Sequence, residues 1–329
     1  MTYIPSPTRY DAMPYRRCGK SGLLLPALSL GLWHNFGGIT PFETQQAILR
    51  TAFDNGITHF DLANNYGPPY GEAERNFGVH MLRDWKPHRD ELVISTKAGY
   101  DMWPGPYGNW GSRKYLISSL DQSLRRMNLD YVDVFYSHRY DPETPLEETL
   151  QALVDIVRKG KALYVGLSKY PLDAYLFASR YLKERDVPCL LYQGRYSMLV
   201  REPESQGILN AVKENGSGFV AFSPLAQGLL TNRYLNGIPD NSRIARGGFL
   251  KKEALTPEVL SKIQALNERA AMRGQSLAEM ALAWLLKNET VTSVIVGASS
   301  VEQLGDSLKT LNHLSFEEEE LHAIEKILM

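Results

Sequence analysis

Cysteine is scarce in this chain: two residues in 329, Cys18 and Cys189, far apart and with no partner at metal-ligand spacing. That excludes a disulfide framework and a zinc ribbon, and it sets the expectation of a reduced, cytoplasmic protein. Long apolar runs are missing as well. No stretch reaches the roughly 18 residues that a membrane span needs, and the opening "MTYIPSPTRYDAMPYRR" has no apolar segment of the signal-peptide kind. No sign of charge dominates, since 36 Lys and Arg face 37 Asp and Glu for a net charge of -1. A basic footprint for nucleic acid is therefore absent. The seven histidines include no H-x-H and no H-E-x-x-H, so a metal-dependent hydrolase lacks its ligands. The segment "CGKSG" at 18–22 is not a phosphate loop, because position 14, where a glycine would be required, is Pro14. It reads as a hairpin turn.

What is present is a repeating strand-and-helix pattern. Short apolar runs fall at 27–31, 57–63, 92–98, 131–138, 162–168, 189–193, 218–223 and 292–298. Amphipathic segments lie between them, including "TPFETQQAILRTAFDNG", with Thr40 as an expected N-cap and Gly56 as an expected stop. Eight such units predict a (β/α)8 barrel, preceded by a β-hairpin at "YRRCGKSGLLLP" and forming a single domain over residues 1–329. A doubly wound sheet is the alternative, but no G-x-G-x-x-G follows the first strand. Two interruptions, Gly99–Gly111 and Ala226–Leu255, are longer than ordinary barrel connections and are candidate functional loops. The acidic run Glu317–Glu320 is read as the start of a last helix.

In a barrel the chemistry is expected at the carboxyl ends of the strands. There the second strand presents Asp61 and leads to Tyr66, the third presents Lys97, and the fourth presents His138. Alternation puts Asp61 on one face with His59, Lys97 with Ser95, and His138 with Tyr136. Lys97 answers the buried carboxylate. A tyrosine beside such a cation is expected to have its pKa drawn down, with Asp61 cancelling part of the effect. That tyrosine can protonate an oxygen becoming an alkoxide, and a neutral His138 can position the same oxygen. The constellation suits carbonyl reduction.

At these residues the chain resembles the aldo-keto reductase superfamily, from about Tyr15 to Leu311. "FDLANNYG" is similar to the family's F-D-[TS]-A-x-x-Y-G, "STK" to its lysine strand and "DVFYSH" to its histidine strand. The segments "PPYG" and "GYDMWPGPYGNWG" are similar to the subgroup of potassium-channel beta subunits and bacterial glyceraldehyde-3-phosphate reductases. The resemblance implies a tetrad of Asp61, Tyr66, Lys97 and His138 with Tyr66 as general acid, and NADPH as cofactor. By the same resemblance Ser168 and Gln193 hold the nicotinamide carboxamide and Phe222 stacks on its ring. Ser223, Pro224, Leu225, Gln227, Gly228 and Arg233 serve the pyrophosphate and its clamping loop. Gly297, Ser299 and Gln303 take the adenosine phosphate. Three positions depart from the family pattern: Lys169 stands after Ser168, Ser300 stands where an arginine is common, and Asp306–Ser307 replace a Glu–Asn pair.

Trp33, Trp103, Tyr107 and Trp110 are expected to wall a substrate pocket, the last three from the loop, with Tyr100 over the tetrad. Arg139 is expected either to hold an anionic substrate or to sit in a surface ion pair. The substrate expected is a small aldehyde such as a triose phosphate or methylglyoxal. The rival reading is a cofactor-binding regulatory subunit without useful turnover, and the absence of a long N-terminal extension speaks for the enzyme. The state of assembly, a homo-oligomer included, is left open.

Overall fold

Strands that are apolar on both faces must be covered on both faces, which a closed parallel sheet inside a ring of helices achieves. The computed structural model describes residues 3–235, 237–239 and 250–329. A hairpin of β1 (Tyr15–Arg17) and β2 (Leu24–Pro26) comes first. Strands β3 (Leu28–Gly31), β4 (His59–Asp61), β5 (Val93–Ala98) and β6 (Val132–Ser137) alternate with helices α1 (Phe42–Asp54), α2 (Glu72–His80), α3 (Arg113–Met127) and α4 (Leu146–Arg158). The second half runs β7 (Ala162–Ser168), α5 (Leu172–Lys183), β8 (Cys189–Arg195), α6 (Glu202–Ser205), α7 (Ile208–Glu214) and β9 (Gly218–Phe222). Then follow α8 (Pro257–Met272), α9 (Leu277–Leu286), β10 (Val291–Val296), α10 (Val301–Leu308) and α11 (Glu318–Leu328). The eight strands from β3 onward close in the order β10-β3-β4-β5-β6-β7-β8-β9. This is the (β/α)8 barrel with its N-terminal hairpin.

Two apolar cores follow from the alternation of side chains. The larger lies between strands and helices and includes Phe60, Phe77, Trp85 and Trp284. The smaller fills the barrel lumen with Val93, Val134, Tyr136, Leu191, Val220 and Ile295, joined by Cys18 and Leu25 from the hairpin. The hairpin therefore closes the amino-terminal mouth, and only the carboxyl mouth remains for chemistry. Its turn is held where Lys20 N–H donates to the Gly216 carbonyl at 2.9 Å. Gly19 sits there at φ +53, and an added Cβ would come within 2.1 Å of that same carbonyl oxygen.

Local signals decide several helix ends. Gly56, at φ +81, follows the end of α1 as expected. The start of α1 differs: Pro41, not Thr40, takes the capping position, and no side chain caps it. Glu317 and Glu320 form a reciprocal capping box at the start of α11, as the acidic run predicts. The first long loop is described throughout, and of the second, residues 236 and 240–249 lie outside the described residues. Among the described residues, no helix is long and apolar enough to cross a membrane.

Candidate active site

The parallel register delivers the predicted groups side by side. Asp61 on β4 is paired with Ser95 on β5, and Lys97 on β5 with Tyr136 on β6. The Lys97 ammonium lies 2.6 Å from Asp61 Oδ2, and both residues are buried. Burying an ionised pair carries a desolvation penalty of several kcal/mol per ion, so the remaining lone pairs must be satisfied. They are: Asp61 Oδ1 accepts from Ser95 Oγ at 2.8 Å and from Gln193 Nε2 at 3.0 Å. Lys97 also donates to the Leu62 carbonyl.

A polar chain extends from this pair down into the lumen. Ser95 Oγ lies 3.0 Å from His59 Nε2, His59 Nδ1 lies 2.8 Å from Ser29 Oγ, and Ser29 meets Ser293. Because the Ser95 proton points at Asp61, Ser95 Oγ must accept from His59, which then carries its hydrogen on Nε2 and accepts at Nδ1. From Ser29 through His59 and Ser95, each donor thus points toward Asp61. Burial keeps His59 neutral, pushing its pKa down to about 4.

Tyr66 and His138 complete the cluster. The Lys97 ammonium faces the Tyr66 ring 5.0 Å from its centroid, within cation–π range. The Tyr66 and His138 rings stand edge to face at 6.1 Å. Burial pushes the Tyr66 phenol well above its ordinary pKa, and the Asp61 carboxylate adds to the rise. The expected downward shift is therefore corrected. Desolvation, which a count of neighbouring charges omits, sets the sign. Lys97 moves down through burial, with Asp61 opposing the change. His138 is driven well below its usual range by burial first and then by Lys97, Lys169 and Arg139, so its imidazole is neutral. Its Nδ1 is buried with no hydrogen-bond partner.

The residues expected on the cofactor side line the same mouth. Ser168 ends β7 with a buried, unpartnered hydroxyl. Gln193 lies on β8 and spends its amide N–H on Asp61. Phe222 ends β9 half-buried, followed by Ser223 (φ +54), the buried Pro224 and the half-buried Leu225. Gln227 and Gly228 continue at φ +60 and +103, and Arg233 is exposed on the turn Asn232–Tyr234. Next to them, beyond the neighbouring strand β10, Gly297 is exposed, and Ser299 N–H and Oγ both donate to Gln303 Oε1, at 3.0 and 2.9 Å. Ser300 caps α10 by accepting from Gln303 N–H, a role that its reading as a missing arginine overlooked.

The substrate side differs more from expectation. Tyr100 reaches the tetrad, with its ring edge to face on His138 at 4.7 Å. Trp33 lies exposed beside Tyr66 at 6.2 Å. Trp103 packs instead against Tyr115, and Tyr107 lies out in solvent under Lys114. Arg139 forms no ion pair among the described residues. Its Nε donates to the Gly99 carbonyl at 2.7 Å and Nη2 to Asn109 Oδ1 at 2.8 Å, with the guanidinium stacked 3.5 Å from the Trp110 ring centroid. It pins the 99–111 loop. Sequence reasoning noted Lys169 only as a departure from the family pattern and gave no role to its ammonium, which reaches the Tyr100 hydroxyl; it also missed the polar chain through His59 and Ser95, although alternation had already put both on the right face. Among the described residues, no group of three or more His, Cys, Asp or Glu is placed to hold a metal ion.

A parallel barrel whose carboxyl mouth joins a buried Asp–Lys pair to a tyrosine and a neutral histidine is the architecture of a carbonyl oxidoreductase. The chain belongs to the aldo/keto reductase family, whose model matches residues 27–329. It is 57% identical to the L-glyceraldehyde 3-phosphate reductase of Escherichia coli O157:H7 over 331 residues, covering 99% of this chain and 95% of that protein. The reductase of the same name from strain K12 is 56% identical over the same span. A probable voltage-gated potassium channel subunit beta of Arabidopsis thaliana is 36% identical over 306 residues, 91% of this chain and 92% of that one. Aldo-keto reductases use NAD(P)H.

Proposed function

We propose that this protein is an NADPH-dependent reductase of small oxygenated aldehydes, of the triose phosphate or methylglyoxal type, with Tyr66 as the general acid. The observation that carries the reading is the buried Asp61–Lys97 pair set beneath the Tyr66 ring, with a neutral His138 beside it. The Tyr66 phenol keeps its proton at neutral pH, and because burial makes it a weaker acid, donation depends on stabilising the phenolate that forms. Lys97, held ionised by Asp61, stabilises the negative charge that the phenol acquires as its proton leaves. His138 orients the carbonyl oxygen without competing for that proton.

The residues present fit a nicotinamide dinucleotide. Ser168 offers an unpartnered buried hydroxyl, Gln193 has an amide oxygen to spare, and Phe222 presents a half-buried ring. The run of left-handed residues at Ser223, Gln227 and Gly228, with Pro224, Leu225 and Arg233, suits close approach of backbone N–H groups to phosphate. Gly297, Ser299 and Gln303 lead into the start of α10, where a further phosphate is favoured. When bound, the dinucleotide supplies the hydride that a carbonyl carbon accepts. Ser299 and Gln303 favour NADPH over NADH, modestly, because Ser300 brings no cation.

Trp33, Tyr100 and Trp110 restrict the mouth, which favours short aldehydes. The name of the relatives that are 56% and 57% identical points to a triose phosphate. One domain over 1–329 is part of the reading: α11 is tied back to the barrel through Glu325 and Arg201, 2.5 Å apart. So is a cytoplasmic setting, which suits two free, buried thiols. Homo-oligomerisation is read from solution mass.

The test is to follow oxidation of NADPH, and of NADH, with glyceraldehyde 3-phosphate and methylglyoxal. Tyr66→Phe should lower kcat by roughly 10² or more with cofactor affinity unchanged. Near-normal turnover in that variant overturns the assignment. Cofactor binding with no turnover of any short aldehyde would instead favour a regulatory role of the channel-subunit kind.

A further inference from the structure

A triose phosphate carries a dianion two carbons from its reacting carbonyl, and the structure commits elsewhere the cation, Arg139, that the sequence offered for it as one of two readings. Arg139 is committed to the Gly99 carbonyl, Asn109 and the Trp110 ring. Lys169 has no such commitment. It follows Ser168 at the carboxyl end of β7, is exposed, and makes one side-chain hydrogen bond among the described residues, donating to the Tyr100 hydroxyl at 2.9 Å. Two of its three ammonium donors are left for other acceptors. No carboxylate lies within ion-pair distance of it among the described residues.

Its position ties it to the chemistry. The ammonium stands 4.9 Å from the Tyr100 ring, which is itself 4.7 Å from the His138 ring, and 5.1 Å from the ring of Phe222. Lys169 therefore spans the gap between the substrate loop and the ring assigned to the nicotinamide. Its charge is felt at the centre, where it is among the causes holding Lys97 and His138 down. The backbone there is held at φ +56, uncommon for a lysine, and residues so held concentrate at functional sites.

We infer that Lys169 is the phosphate-recognising residue of the substrate pocket, selecting aldehydes that carry a phosphate monoester over uncharged ones of the same length. This rests on the reductase reading above. The pyrophosphate of the cofactor has the same chemistry, so the experiment must separate the two.

Lys169→Met and Lys169→Arg are compared with wild type using glyceraldehyde 3-phosphate, glyceraldehyde and NADPH. In Lys169→Met, KM for the phosphorylated aldehyde should rise roughly ten- to hundredfold, and at least tenfold more than KM for glyceraldehyde. The Kd of NADPH should move less than twofold, and Lys169→Arg should recover most of the loss. Equal changes for the two aldehydes overturn the inference, as does a loss confined to NADPH affinity, which would assign the cation to the pyrophosphate. If wild type does not turn over glyceraldehyde 3-phosphate, the reductase reading for that substrate fails by itself. Calorimetric binding of glycerol 3-phosphate to the NADP+ complex then still decides Lys169: weaker binding in Lys169→Met supports the inference, and unchanged binding ends it.

Discussion

Replacing Lys97 by methionine keeps most of the volume of the side chain and deletes the charge that answers Asp61. The two groups meet at 2.6 Å with essentially no solvent access. Breaking a buried pair by removing one partner costs about 3–5 kcal/mol, because the other charge is left uncompensated. Asp61 retains two donors, Ser95 and Gln193, so the lower end, about 3 kcal/mol, applies. At about 2 °C per kcal/mol for a chain of this length, the melting midpoint should fall by about 6 °C. The double variant Asp61→Asn/Lys97→Met removes both charges and should recover at least half of that loss. Neither variant should recover turnover, since each lacks the cation beneath Tyr66, and kcat should stay down by roughly 10² or more. Thermal melts and steady-state rates on the three proteins read both quantities. A single variant as stable as wild type, or a double variant no more stable than the single, would refute the account of a charged, mutually dependent pair.

Acid should destabilise the fold through buried histidines. His59 and His80 are both held at about 4 in the folded chain against an ordinary value near 6.5. Their folded values lie below the unfolded one, so stability is full above about 6.5 and is lost as pH falls toward 4. Urea midpoints should drop across that window, and His80→Phe, which keeps the stack on Phe42, should flatten the slope; a midpoint that does not change with pH refutes the argument. Arg139→Ala should raise KM for glyceraldehyde 3-phosphate and methylglyoxal by similar factors, because it frees the 99–111 loop that both share. A loss confined to the phosphorylated substrate would return Arg139 to anion binding.

Much of this molecule is legible without coordinates because its information is local and periodic. Eight apolar runs separated by amphipathic segments determine strand, helix and barrel, and alternation within β4, β5 and β6 already puts His59 with Asp61, Ser95 with Lys97, and Tyr136 with His138 on inward faces. Even the hairpin at Lys20–Gly22 is local chemistry. Tertiary structure decided what depends on closure of the barrel and on exclusion of water. Gln193 reaches Asp61 across 132 positions of sequence, a contact that exists only when β8 curls back opposite β4. The sign of the Tyr66 shift turned on burial, which no list of neighbouring charges contains. Arg139 and Lys169 are each one residue beyond a predicted site residue, and the sequence reading gave only Arg139 to a phosphate. Only the folded loop, by stacking Trp110 on the first and leaving the second donating to Tyr100, separates them, because a side chain's partners are set by where the backbone of another segment happens to pass.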